Sequence, residues 1–436
     1  MSIAVAAPRA ESRTVPPLAL LADAGLEVPV LGGRRVPHTN LDLAASAPPL
    51  AVVARAVADL LPWYSSVHRG TGYPSELVTE LVEDARGAVA RHVGARDGDV
   101  VVFTRNTTDA LNLLASAVPG DVVVLDIEHH ANLLPWRSRR VVVGAPSIEE
   151  TIAALGAELA RRPAALLAVT GASNVTGELL PIARLADLAH EHGARIVVDA
   201  AQLLPHRVVD LAADGVDYLA CSGHKAYAPY GAGALVGRAD WLDQAPPYLA
   251  GGGAVARVGL DRVIWHASPE RHEAGTPNVL GIAALAVALR ELDALGPSAR
   301  IEHEHALATR LERRVAAVDG VRIVRGFTDA PARVGIVTLE LERGSVGLVA
   351  AALSAEHGIS VRAGRFCAHP FFDRVATRSN GLRASLGIGS TSADVDRFAD
   401  ALETVVAGGF GAVYHRSADG WKPIVDDRPR PSLLAR

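Results

Sequence analysis

Between residues 100 and 236 the apolar positions fall into short runs, Val100–Thr104, Val122–Ile127, Arg140–Gly144, Ala164–Thr170, Arg195–Asp199, Tyr218–Cys221 and Ala232–Val236. Most are continuous rather than alternating, as expected of strands buried on both faces. Thr107–Ala117, Ile148–Arg161 and Ile182–His192 carry helical apolar spacing between them. Strands alternating with helices predict an α/β fold with a large, mostly parallel seven-stranded sheet, and such sheets bind ligands at the carboxyl ends of their strands.

Upstream, Ala51–Trp63 and Leu77–Val93 read as helices around a Gly-containing loop at Ser65–Tyr73. Downstream, 245–275 is rich in Gly and Pro and reads as a long functional loop. Helices follow at Val279–Leu295 and from Pro297 to about Val318, then strands near 321–325, 333–341, 358–363 and 383–388, with helices at Ser345–His357 and Ser392–Val406. The expected organisation is an arm at 1–35 with a short helix at 17–24, a large domain at 36–290, a smaller α/β domain at 291–415, and a patternless mobile tail at 416–436.

Composition narrows the function classes. The 436 residues are 49% hydrophobic and 21% charged, with a net charge of −5, so there is no polybasic footprint for nucleic acid or membrane. Two cysteines, Cys221 and Cys367, are too few for a disulfide framework. The N-terminal residues are interrupted by Arg9, Glu11, Arg13 and prolines, unlike a secretory signal, so a cytoplasmic protein is expected. Only two lysines, Lys225 and Lys422, stand among 43 Lys and Arg residues. Arginine replaces lysine in most ion pairs but cannot serve as an amine nucleophile, which makes Lys225 a candidate for Schiff-base chemistry.

The neighbours of Lys225 support that chemistry. Asp199 ends one apolar strand and Lys225 follows the next, within Ser222-Gly223-His224-Lys225. A carboxylate that holds a protonated pyridine nitrogen and a lysine that captures the aldehyde are the protein groups pyridoxal phosphate most needs. Thr107 and Thr108 open a helix directly after a strand, where they either hold a phosphate or simply cap the helix. Ser222 and His224 are natural partners for the same phosphate. His129, in Glu128-His129-His130-Ala131-Asn132, could stack on a flat cofactor and move protons. Adjacent histidines also invite a metal reading, but neither a CxxC nor an HExxH is present and no metal is expected. Cys367 lies near Arg362 and Arg365, which favour a thiolate, whereas Cys221 sits inside an apolar strand as a small hydrophobe.

Seven ordered stretches give the chain a family resemblance: Val67-His68-Arg69-Gly70, Glu128-His129-His130-Ala131-Asn132 with Pro135-Trp136, Asp199-Ala200-Ala201-Gln202, Ser222-Gly223-His224-Lys225, Glu273-Ala274-Gly275-Thr276-Pro277-Asn278, Arg362 to Ala368, and Leu382-Arg383-Ala384-Ser385-Leu386. From about residue 36 to 408 it resembles the group II-like cysteine desulfurases of the class V aminotransferases, pyridoxal-phosphate enzymes with the aspartate-aminotransferase-like fold. The resemblance implies that Lys225 binds the cofactor aldehyde and shuttles the Cα proton, Asp199 pairs with the ring nitrogen, Gln202 bonds the ring oxygen, and His129 stacks over the ring. It implies phosphate contacts from Thr107, Thr108, Ser222 and His224, joined by Thr276 of a second subunit, hence a homodimer with shared sites. Asn174 and Arg383, with Arg362 and His68, would bind the substrate, and Cys367 would carry a persulfide for a sulfur-acceptor protein.

Four departures from the family pattern, at Leu43, Gly72, Arg365-Phe366 and Gly389-Ser390, are expected to lie near the substrate. The expected reaction is conversion of L-cysteine to L-alanine with sulfur left on Cys367. The alternative is another class V reaction: C–S lysis of a modified cysteine, transamination or epimerisation.

Overall fold

The structure, a computed structural model, describes residues 14–430. Its large domain is built on seven strands: β1 (Asp99–Thr104), β2 (Val122–Leu125), β3 (Arg139–Val142), β4 (Leu166–Thr170), β5 (Arg195–Asp199), β6 (Tyr218–Ser222) and β7 (Gly233–Arg238). They lie in the order β1-β7-β6-β5-β4-β2-β3. Only β7 runs antiparallel to its neighbours, β1 and β6; the other contacts are parallel.

β2, β4 and β6 are buried at every residue, which explains why their sequences do not alternate. The period of two appears in what each side chain meets. Val122 and Val124 pack with Leu111, Leu114 and Tyr218 on one face, while Val123 and Leu125 pack with Leu155, Leu167 and Leu185 on the other. Helix α1 (Ala51–Leu60) and helix α2 (Tyr73–His92) precede the sheet. Helix α3 (Thr107–Ala117) begins at Asn106, whose side chain accepts from the Asp109 N–H as an N-cap.

The smaller domain has four antiparallel strands, β8 (Val321–Ile323), β9 (Ile336–Leu341), β10 (Arg362–Gly364) and β11 (Gly381–Ser385), in the order β8-β9-β11-β10. Helices Pro297–Ala316, Val346–His357 and Ser392–Val406 cover it around Leu311, Leu353, Phe398 and Leu402. The domains are tied by Glu178, fully buried, which accepts from the Gly326 N–H at 2.9 Å and the Thr176 hydroxyl at 2.7 Å.

Three expectations are corrected. No helix forms at 17–24; Pro16 and Pro17 cannot donate, and the segment instead folds back so that Leu21 bridges Leu50 and enters the core. The end of the chain is not patternless, because Tyr414–Ser417 pairs with Gly420–Pro423 and Trp421 packs against Gly347; residues 431–436 lie outside the described region. The long loop at 245–275 contains a hairpin, Val255–Val258 with Val263–Trp265. No helix among the described residues is long and apolar enough to cross a membrane.

Candidate active site

A cavity of about 530 Å³ opens where the carboxyl ends of β4, β5 and β6 meet the small domain. Its wall brings together residues far apart in the chain: Thr107, Thr108, His129, Asn174, Asp199, Gln202, Ser222, His224, Lys225, Arg362, Cys367 and Arg383 all face it. Parallel strands align their last residues on one rim, so Thr170 stands beside Asp199 and Asp199 beside Ala220.

Asp199 is buried and accepts from the Ala201 N–H at 2.9 Å. Burial raises its carboxyl above the ordinary range, against the opposing pull of Lys225. Desolvation brings the Lys225 amine down to about 8, with Asp199 resisting the shift. A lysine this near neutrality holds a usable fraction of free amine. Gln202 donates through Nε2 to the Ala44 carbonyl at 2.6 Å, while its buried Oε1 has no partner among the described residues.

At one end of the cavity the Ser222 hydroxyl accepts from the Thr107 N–H and bonds the Thr107 hydroxyl, both at 2.7 Å. These hydroxyls sit at the first turn of the 11-residue α3, where the helix dipole favours an anion and the hydroxyls can turn to donate to it. His224 and His129 face the same space, and desolvation lowers each imidazole to about 4. His129 accepts from the Ala131 N–H through Nδ1 at 3.0 Å, which leaves Nε2 as its protonated nitrogen.

The opposite end is cationic. Arg362 on β10 stands directly across from Arg383 on β11. Facing like charges repel, and Asp42 reconciles them by accepting from Arg362 at 2.9 Å and Arg383 at 3.3 Å. Arg383 also donates to the Asn174 carbonyl at 2.9 Å, and its Nε has no partner among the described residues. Desolvation, the largest cause, lowers Arg383 to about 10, partly offset by Asp42.

Cys367 is exposed at the mouth, next to Phe366, and both take left-handed backbone with φ of 54°. Such residues are held there by their surroundings. Asn174 Nδ2 donates to the Phe366 carbonyl at 2.6 Å, and the His130 N–H donates to the Cys367 carbonyl at 2.7 Å. Arg365, on the other side of Phe366, pairs with Asp373. His369, two residues beyond Cys367, sets its ring edge-to-face against His130 with centroids 4.6 Å apart. Cys221 is buried in β6, where desolvation pushes its thiol up to about 12, out of reach of chemistry.

His68 is not brought to this cavity, and Thr276, expected to serve the site of a second subunit, does not line that of its own. His68 and Thr276 line a separate groove with Ser66, Arg69, Gly252 and Glu273. The His68 ring bonds Glu83 at 3.0 Å, and Glu273 is held by Arg86 at 2.8 Å. The departures are also redistributed. Leu43 is buried in the core, where a side chain added at Gly387 would touch it, and one added at Gly389 would strike Leu21. Gly72 is the N-cap position of α2. Of the four, only Arg365-Phe366 faces the cavity. Asp42 and His369 belong to the site although the sequence reading does not single them out. A charged residue between Leu41 and Leu43 needs a partner, which is the signal available for Asp42; His369 carries none.

The fold and the lysine-centred cavity define an enzyme of the aminotransferase-like α/β type. The profile of the class-V aminotransferases matches residues 39–398, and the chain belongs to that family. A cysteine desulfurase of Dickeya dadantii is 36% identical over 386 residues, covering 85% of this chain and 92% of its own. A probable cysteine desulfurase of Mycolicibacterium paratuberculosis is 35% identical over 359 residues, and the match spans 52% of that longer protein. Among solved structures, the apo cysteine desulfurase of Thermococcus onnurineus superposes with a TM-score of 0.79 at 30% identity, covering 85% of this chain and 95% of the other.

The depressed imidazoles carry a stability consequence. A histidine whose folded value lies below the ordinary 6.5 contributes stability above 6.5 that is lost as pH falls toward the folded value, here about 4 for His129 and His224. The urea midpoint of the apoprotein is expected to fall between pH 6.5 and 4. Inorganic phosphate at the Thr107–Ser222 end should blunt the fall by favouring protonated His224, and denaturation at fixed pH with and without phosphate checks it.

Proposed function

We propose that the cavity binds pyridoxal phosphate through Lys225 and that the enzyme converts L-cysteine to L-alanine, leaving the sulfur as a persulfide on Cys367. The observation that carries this reading is the placement of a lysine with a near-neutral amine and an exposed cysteine on the walls of one cavity, with an arginine pair facing it from the smaller domain. The residues fit the cofactor: the unpartnered Gln202 Oε1 lies in the wall beside Asp199, a buried carboxylate suits a protonated ring nitrogen, and the Thr107, Thr108 and Ser222 hydroxyls at the start of α3 offer donors to a phosphate. When bound, pyridoxal phosphate supplies an aldehyde for the amine and a sink for the electrons of the Cα–H bond.

The chain's own groups do the rest. Arg383, with its free Nε, and Arg362 hold the substrate carboxylate. Lys225 takes and returns the Cα proton, and His129, neutral at pH 7, exchanges protons from Nε2. The Cys367 thiolate attacks the substrate sulfur; an S–S bond forms, the Cβ–S bond breaks, and its electron pair returns to carbon, which takes a proton to become alanine. A reductant or acceptor thiol then removes the sulfur.

We infer a homodimer, a reading that the second groove supports. His68 and Thr276 have no role in their own subunit's cavity, and the hairpin beside them exposes Val258, Leu260, Val263 and Ile264, an apolar surface suited to a second copy of the chain. The reading of a modified-cysteine lyase loses ground because Leu43 and Gly389 face the core rather than the substrate.

The test is incubation with L-cysteine and a reductant, with products identified by mass. Wild type should release alanine and sulfide in equal amounts, and Cys367→Ser should lose about 10²-fold or more of both, as expected for removal of a nucleophile. Pyruvate without alanine, or an unaffected Cys367→Ser variant, would overturn the proposal.

A further inference from the structure

Glu128 is fully buried, yet it has no cationic partner among the described residues. Its Oε1 accepts from the Thr170 N–H at 3.0 Å and its Oε2 lies 2.7 Å from the Asn132 side-chain nitrogen. Two other carboxylates are near. Asp126 is satisfied by Arg374 at 2.7 Å and by the Gly144 N–H, and Asp199 faces Lys225. The buried side chain of Glu128 therefore meets neutral donors and like charges, an arrangement that opposes a third anion. Burial is the first cause of its raised carboxyl value, with Asp199 and Asp126 adding to it.

The hydrogen bonds give the acid form a place for its proton. Asn132 Oδ1 is buried without a partner among the described residues. Because amide oxygen and nitrogen exchange positions at no steric cost, turning Asn132 over puts Oδ1 against Oε2, where only a protonated carboxyl can donate. The same chain runs on through Asn132, whose carbonyl accepts from Trp136 Nε1 at 2.7 Å. Asn132 belongs to the short helix His130–Leu133, which His129 caps and whose His130 N–H holds the Cys367 carbonyl. At the other end, Thr170 is the register neighbour of Asp199.

We propose that Glu128 is a positioning residue that, as a neutral acid, fixes the His129 ring and the Cys367 loop relative to Asp199. It touches neither substrate nor cofactor. It locks the segment that carries the stacking imidazole to the strand that carries the ring-nitrogen carboxylate, without adding a negative charge beside Asp199. The inference rests on the reading of the cavity as a pyridoxal-phosphate site, and its test separates the two.

Wild type, Glu128→Gln and Glu128→Ala are each loaded with pyridoxal phosphate. The visible circular dichroism of the bound cofactor reports the geometry around it, and the rate of Cys367 alkylation by iodoacetamide reports the loop. Glutamine offers one acceptor to Thr170 and one donor to Asn132, as the acid does, so both signals should stay within about twofold of wild type. Alanine leaves both bonds unmade; the dichroic band should fall by about half or more and alkylation should speed up about fivefold as the loop loosens. Glutamine behaving like alanine would show that an anion is required, and alanine behaving like wild type would remove the positioning role. Asn132→Ala, cut at the other end of the chain, is expected to match Glu128→Ala and replaces it where that variant does not fold. A wild type with no visible band after loading would sink the cofactor reading instead, leaving alkylation of the unloaded proteins to decide the role of Glu128.

Discussion

Lys225→Arg is expected to lower alanine formation from cysteine by about 10⁴-fold or more, the largest loss of any single substitution, because arginine keeps the charge but has no amine to offer. The local electrostatics favour this amine over that of the other lysine. Lys422, the remaining lysine, is half exposed in a surface hairpin and paired with Asp419 at 3.0 Å. Lys225 is desolvated to about 8, so at pH 7 about a tenth of it is free amine. Capture of pyridoxal phosphate by the apoprotein should therefore accelerate from pH 6 to about 8 and then level, followed by visible absorbance in a stopped-flow mixer. Lys225→Arg should give no such band at any pH. A band of normal intensity, or turnover within about tenfold of wild type, would remove Lys225 from the chemistry.

Much of the fold was legible because its signals are local. The helices at Thr107–Ala117, Ile148–Arg161 and Val279–Leu295 carry both the apolar spacing and a side-chain cap, from Asn106, Ser147 and Asn278. The fully buried strands announce themselves as runs of Val and Leu bounded by turns. What could not be read was decided by contacts distant in sequence. Leu18 to Leu21 has helical composition, but burying Leu21 beside Leu50 settles its conformation. The same distinction runs through the site. Asp199 and Lys225 follow neighbouring strands, so the alignment of a parallel sheet suffices to bring them to one rim. His68 carries a suitable residue type, yet the chain that holds it turns toward another groove, the one lined by Thr276. The direction of a side chain at Leu43 or Gly389 is likewise a tertiary fact: each belongs to a stretch beside the site, and each points into the core.

Asp199→Asn should separate stability from function in opposite directions. The carboxylate is buried at the end of β5, and its folded value is raised by desolvation, with Lys225 as the countering cation. A raised acid contributes most to stability below its unfolded value, and that contribution is lost as pH rises. At neutral pH the buried side chain therefore weighs against the folded apoprotein, and asparagine removes that burden. Its Oδ1 can still accept from the Ala201 N–H, so the local turn survives. The urea midpoint of apo Asp199→Asn should rise relative to wild type at pH 7, and the difference should shrink as pH falls toward about 4, the ordinary carboxylate value. Turnover should move the other way, by about 10² to 10³-fold, since a neutral amide cannot hold a proton on the ring nitrogen of the bound cofactor as an anion does. A variant that lost stability would mean that Lys225 compensates Asp199 in full. One that kept its activity would mean that the electron sink works without a protonated ring, and the buried carboxylate would then need another explanation than the one that placed it opposite Lys225.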